Sequence, residues 1–253
     1  NITAIIQIGT ELAVILYFRH DIIRILGAWF GSLFGKEGKD FKSRMGAHNP
    51  DTQMGWFIIL GTMPILIAGL LFKHAIEGSL RNLWITVTVL ALFGVLLWVV
   101  DARSKQVKTM KEMTWKDALI FGIGQMLALI PGVSRSGGTI TFGRAMGYTR
   151  EAAVRVSFLM AIPAVFGAGI LEAVSAVKDV AAGDAGMFPG WGPTIAAAIV
   201  AFVVGYVVII GFLKFVSTFS YKAFAIYRIG LAIVVALLLI TGVLSPLEAA
   251  AAA

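Results

Sequence analysis

The chain has 253 residues, 58% of them hydrophobic and only 14% charged, with a mean hydropathy of +0.88. A soluble protein this apolar would expose patches large enough to drive association, so the composition excludes a soluble domain and indicates a polytopic membrane protein. With no cysteine there are neither disulfides nor thiolate metal sites, and a net charge of +7 in such a chain is read through membrane topology, with no nucleic acid expected as a partner.

In chain order, residues 2–18 read as a first span. Glu11 lies on it, with Gln7 four residues earlier on the same helix face. Glu11 is either a paired polar position facing the bundle or a contributor to an active-site cavity. Residues 22–34, with Arg24, Trp29 and Phe30, are too short to span and suit an interfacial helix. A basic cytoplasmic loop over 35–51 follows. Residues 53–72 and 83–100 form a two-span hairpin, turning around Glu77-Gly78-Ser79, with Trp56, Trp84 and Trp98 near span ends. A second basic loop covers 101–115. Beyond residue 147, three more spans are predicted over 150–177, 194–215 and 223–243, with Pro163 kinking the first and a Gly-bearing loop over 179–193.

Between these lies the stretch that matters most. A helix over 116–129 is about 21 Å long at about 1.5 Å per residue, short of the roughly 30 Å hydrocarbon core. Pro131-Gly132 then stops it, because proline removes a donor and clashes with the preceding turn. The tip reads Ser134-Arg135-Ser136-Gly137-Gly138-Thr139. An arginine at membrane depth costs several kcal/mol without a partner and marks a functional site by default. Gly137 and Gly138 permit close backbone approach, and the N–H groups from about Ser136 to Thr139 open a new half-helix at its positive dipole end. Arg135 adds a planar fork of donors, and Ser134, Ser136 and Thr139 add hydroxyls. Together these residue types suit a phosphate. The bland reading is a Gly/Ser hinge with Arg135 snorkelling to headgroups, but a hinge does not need four polar side chains in six residues.

Basic residues test the layout. If residues 116–147 enter and leave on one side, every Lys and Arg except Lys73, Arg81, Lys178 and the tip Arg135 falls on a single side, which is then cytoplasmic. The expected fold is therefore an all-α integral membrane protein: one polytopic helical bundle over 1–253, with about six transmembrane helices plus a re-entrant helix–loop–helix. Its tip is raised toward the outer half of the bilayer. Broken helices of this kind often come in inverted pairs.

The run from Gln125 through Pro131-Gly132-Val133-Ser134-Arg135-Ser136-Gly137-Gly138-Thr139 also resembles the second signature of the bacterial undecaprenyl-diphosphate phosphatases, the BacA/UppP family. Ser157-Phe158 with Pro163, Phe224-Ala225-Ile226-Tyr227-Arg228, and the pattern Leu60-Gly61, Pro64, Gly69-Leu70-Leu71-Phe72 agree with it, so the resemblance runs over nearly the whole chain. It implies hydrolysis of undecaprenyl diphosphate to the monophosphate and inorganic phosphate in the bacterial plasma membrane. That reaction recycles the cell-wall lipid carrier and favours bacitracin resistance, at an active site opening to the external face. It further implies that Arg135 is catalytic and clamps the diphosphate with Ser134, Ser136, Gly137, Gly138 and Thr139. Gln125 is a supporting residue, either orienting these groups or satisfying backbone near the break; Glu11 is the other. A divalent cation, Mg²⁺ or Ca²⁺, is implied as cofactor, with no carboxylate pair here to assign to it. The family's first signature, an amino-terminal hairpin with two glutamates, Pro-x-Ser-Ser and a histidine, is not found. By the resemblance it would carry the nucleophile and form the other half of an inverted repeat. His20, His48 and His74 read as surface residues. The expected partners are a polyprenyl diphosphate and membrane lipids; homo-oligomerisation is left open. A transporter or flippase for an anionic polyprenyl lipid would use the same hairpin without a nucleophile.

Overall fold

The computed structural model describes residues 2–72, 75–76, 78, 80, 82–181 and 191–246. Among them every regular element is helical: α1 (Ile2–Leu33), α2 (Phe41–Arg44), α3 (Pro50–Leu71), α4 (Leu83–Arg103), α5 (Trp115–Met126), α6 (Arg135–Ala145), α7 (Arg150–Ala181), α8 (Trp191–Thr218) and α9 (Lys222–Ile240). Single 3₁₀ turns, Met110–Glu112 and Leu127–Leu129, precede and follow α5.

Among the described residues, four helices are long and apolar enough to cross a membrane: Pro50–Leu71, Leu83–Arg103, Gly192–Thr218 and Lys222–Ile240. α8 shows why. Ile199, Val200, Val203, Val204 and Val207 are each more than half exposed, a surface stable only against lipid. The other two expected spans, in α1 and α7, belong to continuous helices of 32 residues, long enough to cross but outside that apolar set.

Several boundaries differ from expectation. The first span and the interfacial helix are one helix, because Arg19, His20 and Asp21 offer no Pro or Gly to interrupt it. α7 likewise continues through Pro163 and past residue 177 to Ala181. The loop over 35–51 contains α2, whose N-cap Asp40 accepts from the Ser43 N–H at 3.1 Å. Most of the expected turn at 77–79, together with His74 and residues 182–190, lies outside the described residues.

The chain divides into two compact units, one of residues 1–56 and 158–215, the other of 57–157 and 216–253. In the first, Gly9 packs against the Ala198 carbonyl, and the rings of Phe18, Phe158 and Phe212 form a chain with centroids 5.7 and 6.4 Å apart. Arg24 bridges Asp21 at 3.0 Å and Asp51 at 3.1 Å.

The second unit holds the broken hairpin. α4 and α9 pack together through Val87, Ala232 and Leu239. α5 has 12 residues and α6 has 11, so each half-helix reaches only about 16–18 Å. They lie against each other because Gly138 leaves no side chain between itself and the Gly124 carbonyl. At the base of the hairpin, buried Asp101 at the end of α4 takes Arg144 Nε from α6 at 2.8 Å. It also takes Arg150 Nε from α7 at 2.9 Å and the Tyr221 N–H ahead of α9 at 3.1 Å. Asp117 of α5 accepts from the Tyr148 hydroxyl at 2.9 Å and from the Thr114 N–H at 3.0 Å. The tip reaches the opposite half of α4, where Gly132 lies against the backbone of Thr86 and Leu90. From Asp101 to Leu90 or Thr86 is about 17–23 Å of helix. The hairpin thus runs along about half to two-thirds of its neighbouring helix from base to tip.

Candidate active site

The tip is built by two backbone reversals. Gly132 has φ 98°, and Ser134 has φ 67°, the one described non-glycine residue in the positive-φ region. Such a conformation costs about 1–3 kcal/mol and persists where the surroundings over-determine it. Here the surroundings are visible. Ser134 is the N-cap of α6: its Oγ accepts from the Gly137 N–H at 3.3 Å, and its carbonyl accepts from the Gly138 N–H at 2.8 Å. From α9, Arg228 Nη2 donates to the carbonyls of Gly132 at 2.5 Å and Val133 at 3.0 Å, which holds the loop from outside.

The expected site residues therefore take distinct parts. Ser134 is exposed, while Arg135, Ser136 and Gly137 are half-buried around the start of α6. Of the backbone donors expected to be open from Ser136 to Thr139, those of Gly137 and Gly138 are already taken by Ser134, leaving the Ser136 N–H at the helix start without an acceptor among the described residues. Thr139 is fully buried and donates its hydroxyl to the Arg135 carbonyl at 2.8 Å. Gly138 is buried against Gly124, so its missing side chain serves helix packing. Gln125 is fully buried, and neither its amide nitrogen nor its oxygen has a partner among the described residues. Glu11 is half-buried on α1, in the other unit. His20 and His48 are exposed, as expected of surface residues.

A match to the family model described as bacitracin resistance protein BacA covers residues 1–234. The chain belongs to the BacA family. Its relatives span bacterial genera. A protein named undecaprenyl-diphosphatase from Bifidobacterium adolescentis is 92% identical over 99% of this chain and 85% of its own length. One of the same name from Bifidobacterium animalis subsp. lactis is 76% identical over 97% of this chain and 83% of its own length. A third, from Pseudarthrobacter chlorophenolicus, is 52% identical over 96% and 84%. As a BacA member with four apolar helices, the chain is a membrane protein.

Sequence reasoning met Arg228 within a family-like pentapeptide, counted it among the basic residues of the cytoplasmic side and gave it no place in the site; the structure sets it against the tip loop instead. The signal was available: an arginine inside an otherwise apolar span is expensive unless it faces a polar partner.

The residues that could hold a divalent cation are a separate matter. Among the described residues no three His, Cys, Asp or Glu side chains come together as a metal site. No set of ligands is therefore assigned to such an ion among the described residues.

Proposed function

We propose that this protein hydrolyses undecaprenyl diphosphate to undecaprenyl phosphate and inorganic phosphate, with the diphosphate held at the tip between α5 and α6. The observation that carries the reading is the strained, capped turn at Ser134, which presents Arg135 and the Ser136 N–H at the amino end of a half-helix. The dipole of α6 and the Arg135 guanidinium offset negative charge, and that charge grows on the phosphoryl oxygens as the P–O–P bridge breaks. Ser134 and Ser136 hydroxyls lie on the same rim. Membership of the BacA family and the shared name of its relatives support the substrate.

In this reading the hairpin is re-entrant. It enters from the cytoplasmic side of the bacterial plasma membrane, and the site opens outward, as the distribution of basic residues other than the tip-bound Arg228 favours. The prenyl chain lies along exposed apolar helices. Mg²⁺ or Ca²⁺ as cofactor is part of the proposal on the resemblance alone.

The test is phosphate release from undecaprenyl diphosphate by purified protein in detergent, with and without a divalent cation. Arg135→Ala is expected to lower the rate about 10²–10³-fold, as for loss of a donor to a developing oxyanion. Full activity of that variant would overturn the assignment of Arg135. Absence of phosphate release by the parent protein, with lipid moved between leaflets of a vesicle, would replace the reaction with transport.

A further inference from the structure

Arg228 has no counter-ion among the described residues. It is half-buried on α9, and among the described residues no carboxylate lies within ion-pairing distance. The other two arginines around this hairpin's frame, Arg144 and Arg150, share Asp101. Arg228 has only the neutral carbonyls of Gly132 and Val133, both bonded through Nη2. Among the described residues its Nε, which is buried, has no acceptor, and Nη1 forms no hydrogen bond. A guanidinium taken partly out of water without an opposing charge is costly, and an anion that arrives beside it offsets the cost.

Geometry says where that anion would sit. A Cβ added at Gly137 would lie 3.3 Å from Arg228 Nη1 and 3.2 Å from the Ser134 Cβ. The free end of Arg228 therefore lies across the first turn of α6, on the rim that carries Ser134 and Ser136, and glycine at 137 keeps the gap open. The Ser136 N–H opens beside it.

We propose that Arg228 is a second guanidinium of the diphosphate site, with Nη2 fixing the loop and Nη1 contacting the anion at the start of α6. This rests on the reading of that tip as a diphosphate site. A diphosphate ester carries more than one negative charge, and two guanidiniums on separate elements match two phosphoryl groups better than one.

Equilibrium binding of inorganic pyrophosphate and of inorganic phosphate to the detergent-solubilised protein tests this directly. For Arg228→Gln we expect pyrophosphate binding weakened about 10–100-fold, as for loss of a hydrogen bond to a charged group, and phosphate binding weakened less. Arg228→Lys should recover part of the loss. Arg103→Gln, which removes an exposed charge from the far end of α4, should change binding less than about twofold. In Arg228→Ala, added methylguanidinium should restore pyrophosphate binding, a response that a purely structural role does not give. Unchanged pyrophosphate affinity in Arg228→Gln overturns the proposal. So does equal loss of both anions with no rescue, which would assign Arg228 to the fold alone. Pyrophosphate binding that depends on Arg228, in a protein releasing no phosphate from undecaprenyl diphosphate, would keep this inference and sink the proposed reaction.

Discussion

Asp101 and Arg144 lie 43 residues apart in sequence and form a fully buried ion pair, with Nε 2.8 Å from Oδ1. The same carboxylate takes Arg150 and the Tyr221 N–H, so one side chain ties together α4, α6, α7 and the start of α9. Removing one partner of such a network leaves buried charge uncompensated, at about 3–5 kcal/mol. Asp101→Asn should destabilise the protein by that amount in denaturant unfolding in detergent. Glu151→Gln, which breaks the exposed Glu151–Arg155 pair, should cost less than about 1 kcal/mol. Equal effects of the two would refute the role given to Asp101.

What could be read from the sequence follows from how local the cause is. Pro131-Gly132 breaks the helix through its own covalent geometry, so the hairpin and its tip were legible. The Asp101 cluster was not, since its other members lie 43 to 120 residues from Asp101 and no local pattern joins them to it. The break expected between residues 18 and 22 is not made, since a helix ends by dihedral or capping chemistry, which Arg19, His20 and Asp21 do not supply. Gly138 was read as room for a ligand; whether a glycine faces a ligand or a neighbouring helix depends on tertiary packing. Arg228 needed its contact with the loop, 96 residues away, before it joined the site.

Close approach of the half-helices makes Gly138 sensitive to volume. An added Cβ would collide with the Gly124 carbonyl, which is backbone and cannot swing aside. Gly138→Ala should cost about 1–3 kcal/mol and shift the tip enough to lower phosphate release. Gly230→Ala, with nothing within 4 Å of its Cβ, should be neutral or stabilising by up to about 1 kcal/mol. Thermal unfolding of the two variants in parallel measures the contrast.

Ser134 combines a positive φ with an N-cap, and its replacements separate the two. Ser134→Gly relieves the strain while losing the cap, and a glycine cap is only a few tenths of a kcal/mol worse than serine. Ser134→Ala keeps the strain and loses the cap, costing about 0.5–2 kcal/mol. The Ala variant should therefore unfold at the lower temperature. Both should release phosphate more slowly if the hydroxyl also faces the substrate. A Gly variant less stable than the Ala variant would show that backbone strain is not stored at this position.

Asp117, in the first turn of α5 and outside the four apolar helices, predicts an acid limb of stability. Burial pushes its carboxyl up, but the Tyr148 hydroxyl, the Thr114 N–H and hydroxyl, and Lys108 together hold it below the ordinary value of 3.8. Because the folded state holds the proton less tightly than the unfolded chain, the stabilisation is complete above pH 3.8 and is lost as pH falls through the lower folded value. Tyr148 is no competing source of titration near neutrality: burial and Asp117 push its phenol upward, so it stays a donor. Asp117→Asn should unfold at a lower temperature than the parent at neutral pH, since the amide can serve Lys108 and Tyr148 only as a neutral acceptor. Protonation of the parent carboxyl removes that advantage, so the gap between the two should narrow as pH drops below 3.8. The measurement is the unfolding midpoint of both proteins against pH in one detergent. A gap that stays constant across that window would mean that the charge on Asp117 contributes nothing to holding α5 against Tyr148.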